Sequence, residues 1–103
     1  MANKKTYKKS QLNTYLIERN IPEAGKLSKD QLQGISEKSC NVLKTMGSGI
    51  EWIHSYVAEN KVYCIYKAEN EELILRHAKE GGFPADKITI VSNVIDPGTA
   101  KEK

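Results

Sequence analysis

The segment His77-Ala-Lys-Glu-Gly-Gly-Phe-Pro-Ala85 constrains the fold more than any other. It carries one of the two histidines on a helix and then stops that helix hard. Gly81 and Gly82 end it, and Pro84 bars its resumption. Upstream, Asn70 can cap the same helix, and Glu71 and Glu72 favour its positive end. Leu73, Ile74, His77 and Ala78 fall on one face. The chain must then turn back, and Ile88 to Ile95 reads as a strand ended by Asp96-Pro97-Gly98.

The first half repeats this plan. Leu12 to Arg19 mixes β-branched and aromatic residues and reads as a strand. Pro22 and Gly25 break the chain between Asn20 and Lys26. A helix then starts at Ser28, with Gln31 three residues on as in a capping box and Leu27 and Leu32 as a hydrophobic staple. Leu32, Ile35, Val42, Leu43 and Met46 form its stripe, with Ser39 in the gap. Gly47 and Gly49 end it. Ile50 to Ala58 and Lys61 to Ala68 are strands joined by a tight turn at Glu59-Asn60.

The order is β-α-β-β-α-β, the split βαβ of the ferredoxin-like α+β fold. A four-stranded antiparallel sheet should carry both helices on one face. With the turn at Glu59-Asn60, Ile53, Ser55, Val57, Val62, Cys64 and Tyr66 share one sheet face. Trp52, His54, Tyr56, Tyr63 and Ile65 share the other. Both sets are too apolar to face water, so a homodimer packed sheet on sheet, of the dimeric α+β barrel type, is expected.

With 103 residues the chain suits one domain, residues 12–98, between a basic tail (1–11) and a polar end (99–103). Lys4, Lys5, Lys8 and Lys9 account for the net charge of +3. A run of this kind is ordinarily a solvated, disordered arm, and no basic stripe with interleaved aromatics supports nucleic-acid binding elsewhere. No apolar run approaches a membrane span, and Met1 to Gln11 lacks the apolar region of a secretory signal. A cytoplasmic protein is expected. Cys40 and Cys64 lie at no metal-knuckle spacing and read as inert core thiols.

There is no phosphate loop, no nucleophile triad and no catalytic carboxylate pair. The chemistry left is that of two imidazoles. His77, on the inward helix face, needs a carboxylate, a carbonyl or a metal as partner; an ordinary hydrogen-bonded core histidine is the plainer alternative. His54 sits among aromatics and suits a pocket, a metal site or an interface bond to a tyrosine. The hairpin register puts His54 and His77 on opposite sides of the sheet, although a one-residue slip would reverse this. Glu18, Glu51, Asp96 and Cys64 are further candidate ligands. Imidazole with carboxylate suits Ni(II) or Zn(II), and affinity order alone favours Cu(II).

Several segments together resemble a known family. Tyr15-Leu-Ile-Glu-Arg19, Ile21-Pro-Glu-Ala-Gly25, Leu27, Trp52, Ser55-Tyr-Val57, Tyr63-Cys-Ile-Tyr66, His77, Gly81-Gly-Phe-Pro-Ala85 and Ile95-Asp-Pro97 are similar, in order, to the small DUF4242 family. Its members are often labelled nickel-binding. The resemblance implies a ferredoxin-like homodimer that binds nickel, and His77, His54, Glu18 and Glu51 are the candidate ligands. A second expectation is a cofactor-independent monooxygenase or isomerase with a pocket between sheet and helices. His77 would then be its acid or base, and Tyr66, Cys64, Trp52, Tyr56 and Tyr63 the pocket residues. A third is a plain ligand-binding or interaction module, with Trp52, Tyr56 and Tyr63 forming only the interface.

Overall fold

Alternation of apolar residues in four short runs, and helical spacing in two, give the architecture of the computed structural model, which describes residues 12–101. The expected basic arm at 1–11 lies outside the described residues. In chain order the elements are β1 (Asn13–Asn20), α1 (Lys29–Lys44), β2 (Ile50–Val57), β3 (Lys61–Ala68), α2 (Glu71–Gly81) and β4 (Lys87–Val91). The four strands make one antiparallel sheet in the order β2-β3-β1-β4. This is the ferredoxin-like α+β arrangement, with β1 and β3 in the middle.

The local signals act as their chemistry requires. Ser28 Oγ accepts from the Gln31 N–H at 3.1 Å, and Gln31 Oε1 accepts from the Ser28 N–H at 2.8 Å, closing the capping box of α1. Asn70 Oδ1 caps α2 by accepting from the Leu73 N–H at 3.0 Å. The Ala58 N–H donates to the Lys61 carbonyl at 2.8 Å, so Glu59-Asn60 is the hairpin turn. At the end of α2, Gly82 takes a left-handed conformation (φ 71°), and the Phe83 N–H reaches back to the Ala78 carbonyl.

One sheet face bears both helices. Tyr15, Ile17, Cys64, Tyr66 and Ala68 lie buried on it, with Ile50 beside them and Ile74 of α2 above. Arg19 has the same parity as Tyr15 and Ile17, so it too is buried there. α1 packs less closely. Of its residues only Ser39 is buried, because Leu32, Ile35, Ser36 and Ser39 line a cavity over the sheet.

Four expectations need correction. A β-bulge between Trp52 and His54 leaves Ile53 without a strand partner. The extra residue turns Trp52 to the helix side, where its Nε1–H donates to Ser55 Oγ at 2.9 Å. Trp52 therefore leaves the face it was assigned to share with His54, whereas His54, Tyr56, Tyr63 and Ile65 keep theirs. Second, β4 stops at Val91 rather than Ile95. Val91 pairs with Thr14, and β1 begins one residue earlier, so among the described residues β1 offers no partner to the residues beyond. Val94 and Ile95 are left 79% and 78% exposed. Third, Cys40 is exposed: it follows Ser39 on α1 and falls off the stripe. Fourth, Ile35 is 41% exposed at the cavity rim rather than packed.

The Gly-Gly-Phe-Pro segment is explained by Phe83. A Cβ on Gly81 would stand 2.3 Å from the Phe83 ring, which is held against His77 and Arg19. Gly81→Ala should therefore cost about 1–3 kcal/mol as overpacking, and Gly82→Ala about 1 kcal/mol through its positive φ. Urea unfolding of the two variants beside the parent chain measures both. A neutral Gly81→Ala would show that Phe83 is free to move aside.

Candidate functional site

Arg19 is the most unusual residue of the helix side. It is 4% exposed, and among the described residues no carboxylate pairs with it. Its Nε–H donates to Cys64 Sγ at 3.3 Å, and Nη1 donates to the Pro84 carbonyl. The guanidinium also lies over the rings of Phe83 (5.5 Å) and Tyr66 (5.9 Å). β1 delivers it by alternation, and Gly82 and Pro84 bend the chain so that Phe83 and the Pro84 carbonyl meet it.

Beside Arg19 runs a short polar chain. Ser39 Oγ is 3.5 Å from the Tyr66 hydroxyl and 3.1 Å from His77 Nε2. His77 is 1% exposed, stacks on Phe83 at 5.6 Å and tilts against Tyr66 at 5.2 Å. Its Nδ1 has no hydrogen-bond partner among the described residues. Burial, aided by the Arg19 charge, pushes the imidazole pKa below its usual value, so His77 is neutral at pH 7. Burial pushes the Tyr66 phenol up, against the opposing effects of the Ser39 bond and the Arg19 charge.

A cavity of about 90 Å³ opens next to this network. Arg19, Ser39, Cys64 and Tyr66 supply its polar wall, and Leu27, Leu32, Trp52, Val62 and Phe83 much of its apolar lining. Of the pocket residues expected from sequence, Tyr66, Cys64 and Trp52 are present, the last because of the bulge. Tyr56 and Tyr63 are on the opposite sheet face. His77 does not line the cavity and meets it only through Ser39 and Tyr66.

The outer sheet face carries the other candidates. His54 is exposed, and its Nε2 is 3.1 Å from the Tyr56 hydroxyl. Strand parity puts Glu18, Glu51, Tyr63 and Ile65 on the same face. Glu18 pairs with Lys61 at 3.3 Å. His54 and Glu18 lie two strands apart and two residues out of line, about 12 Å. Asp96 is separate: it caps the last turn by accepting from the Thr99 N–H at 3.3 Å. His77 is thus apart from His54, Glu18 and Glu51. No group of three or more His, Cys, Asp and Glu residues gathers among the described residues of one copy.

Sequence reasoning missed Arg19 and the role of Ser39. Both left a signal. Arg19 shares parity with Tyr15 and Ile17, and Ser39 interrupts an apolar helical stripe.

Acid should expose the neutral state of His77. The unfolded chain takes up a proton near pH 6.5, whereas the folded imidazole resists it to lower pH. Below about pH 6.5 the unfolded state binds more protons, so stability falls with acid. Thermal unfolding between pH 7.5 and 5 should show this loss in the parent chain and a flatter profile in His77→Gln. Equal slopes would sink this account of His77.

The comparisons with known proteins agree with this fold. No curated protein is significantly similar to the chain. The crystal structure of SCO4226 from Streptomyces coelicolor A3(2) superposes with a TM-score of 0.67 at 18% sequence identity, over 80% of this chain and 99% of that one. At that identity the likeness establishes the fold. No helix among the described residues is long and apolar enough to cross a membrane. The family model described as "Nickel responsive protein SCO4226-like" matches residues 15–91, which include most of β1, both helices and all of the other three strands, and the chain belongs to that family.

Proposed function

We propose that the chain is a nickel-responsive protein that acts as a homodimer and holds Ni(II) between two sheet faces. His54 is the imidazole ligand, and Glu18 and Glu51 supply carboxylates. The observation that carries this is the outward His54 ring, one nitrogen of which is engaged by Tyr56. Ligand imidazoles are ordinarily oriented in this way, by a bond to the nitrogen away from the metal.

Among the described residues of a single copy the donors are spread across the sheet and do not converge on one ion. Two copies related by a two-fold axis double the donor set on facing surfaces. Imidazole and carboxylate together suit Ni(II). Glu18 would exchange its partly exposed Lys61 partner for the metal. Leu16, Tyr63 and Ile65, half-buried on this face, and Tyr56, 60% exposed, give it the apolar character of a contact surface. The unpaired Val94 and Ile95 add to the apolar surface that a second copy would cover. The activity is reversible, stoichiometric capture of the metal.

Sedimentation of the tag-free, metal-stripped chain should give a dimer, and calorimetric titration should show saturable Ni(II) binding. His54→Ala should weaken that binding about tenfold or more while the dimer persists. A monomer at micromolar concentration, or a His54→Ala variant that binds nickel undiminished, would overturn the proposal.

A further inference from the structure

On the other side of the sheet, we infer that the cavity beneath α1 is a binding site for a small monocarboxylate with a short apolar body. Arg19 receives the carboxylate, and Leu32, Trp52 and Val62 hold the body. This site is separate from the metal reading and does not depend on it.

Three observations meet at one place. The first is an uncompensated charge. Arg19 is 4% exposed, and a buried cation is ordinarily paired with an anion. Its partners here are the Cys64 thiol, the Pro84 carbonyl and the Tyr66 hydroxyl, all neutral, and none of them supplies a balancing negative charge. The second is that Arg19 lines an existing cavity together with the Ser39 and Tyr66 hydroxyls. An entering carboxylate would meet the Arg19 guanidinium beside Ser39 and Tyr66, whose hydroxyls already bond one another. The third is composition. Apart from these groups the wall is largely apolar, and its rim lies at the exposed Ile35 and Val57.

The chemistry of the ligand follows. A guanidinium fork matches a planar carboxylate in two parallel hydrogen bonds. One buried cation balances one negative charge, so dianions are disfavoured. The volume limits size: about 90 Å³ is smaller than the roughly 150 Å³ cavity that takes a benzene ring. A chain of a few carbons fits this space better than an aromatic acid. The Ser39 hydroxyl joins the cavity to buried, neutral His77, so the bound anion would also be felt at that ring.

Butyrate is the probe, with butyramide and inorganic phosphate as controls. Each is titrated into the isotope-labelled full chain and followed by amide chemical shifts. Butyrate should shift the signals of Arg19, Ser39, Tyr66 and Phe83 saturably, and butyramide and phosphate should not. Arg19→Gln should weaken butyrate binding about tenfold or more. Because Arg19→Gln also removes contacts that hold the fold, Ser36→Leu serves as a second variant. It fills the cavity without touching Arg19 and should abolish the butyrate response in a folded chain. No saturable response to butyrate at 10 mM or so, butyramide binding as well as butyrate, or undiminished binding by Ser36→Leu would each overturn the inference. Nickel titration of the same variants separates this result from the metal proposal, since neither substitution lies on the outer face.

Discussion

The structure depends on the burial of one positive charge. Arg19 sits at the end of a central strand, enclosed on the helix side, with no carboxylate to meet it among the described residues. A buried unpaired ion costs several kcal/mol, so the surroundings have to replace water. They do so with the Pro84 carbonyl, the Cys64 sulfur and the faces of Phe83 and Tyr66. Each partner then acquires requirements of its own. Phe83 needs Gly81 to have no side chain, and Gly82 turns the chain so that Phe83 and Pro84 can return. One guanidinium thereby ties β1, β3 and the loop after α2 into a single unit.

Much of this was legible in the residues, and the limits are physical. Helix starts and stops depend on near neighbours, so Ser28, Asn70, Gly47 and Gly82 mark their elements in the sequence. The hairpin turn at Glu59-Asn60 was legible for the same reason. The bulge at Ile53 was not, because an inserted residue in a run of apolar side chains leaves the pattern apolar on both faces. The end of β4 was hidden for a different reason: a strand ends where its neighbour ends, and that neighbour lies some 75 residues away in sequence. At the site, the hairpin register is enough to put His54 and His77 on opposite sides of the sheet, where the structure has them. Arg19 was passed over because an arginine at the end of a strand usually reaches water, and only the closed surroundings show that this one does not.

The sheet is a partition between two kinds of chemistry. Adjacent residues of β1 serve opposite sides. Glu18 looks out toward the acidic and imidazole donors, and Arg19 looks in toward hydroxyls and aromatic rings. β3 divides in the same way, with Tyr63 outward and Cys64 inward. This separation keeps the buried cation away from the face proposed for a metal cation, where its charge would repel the ion.

The reach of the Arg19 bond has a consequence for how the chain is made. Its partner carbonyl, on Pro84, lies 65 residues further along. At about 5–20 residues per second, synthesis needs roughly 3–13 seconds to supply it. β1 is also the strand that both β3 and β4 must find. β3 arrives within that interval and can pair with β1, but Arg19 stays in water until Phe83 and the Pro84 carbonyl reach it. The hairpin of β2 and β3 needs only local closure and can form while β1 waits. The arrival of the Gly-Gly-Phe-Pro segment then takes the charge out of solvent, and β4 follows to complete the sheet. A chain cut before Pro84 would have β1, β2, β3 and its helix-capping signals, but neither β4 nor the partners that take Arg19 out of water.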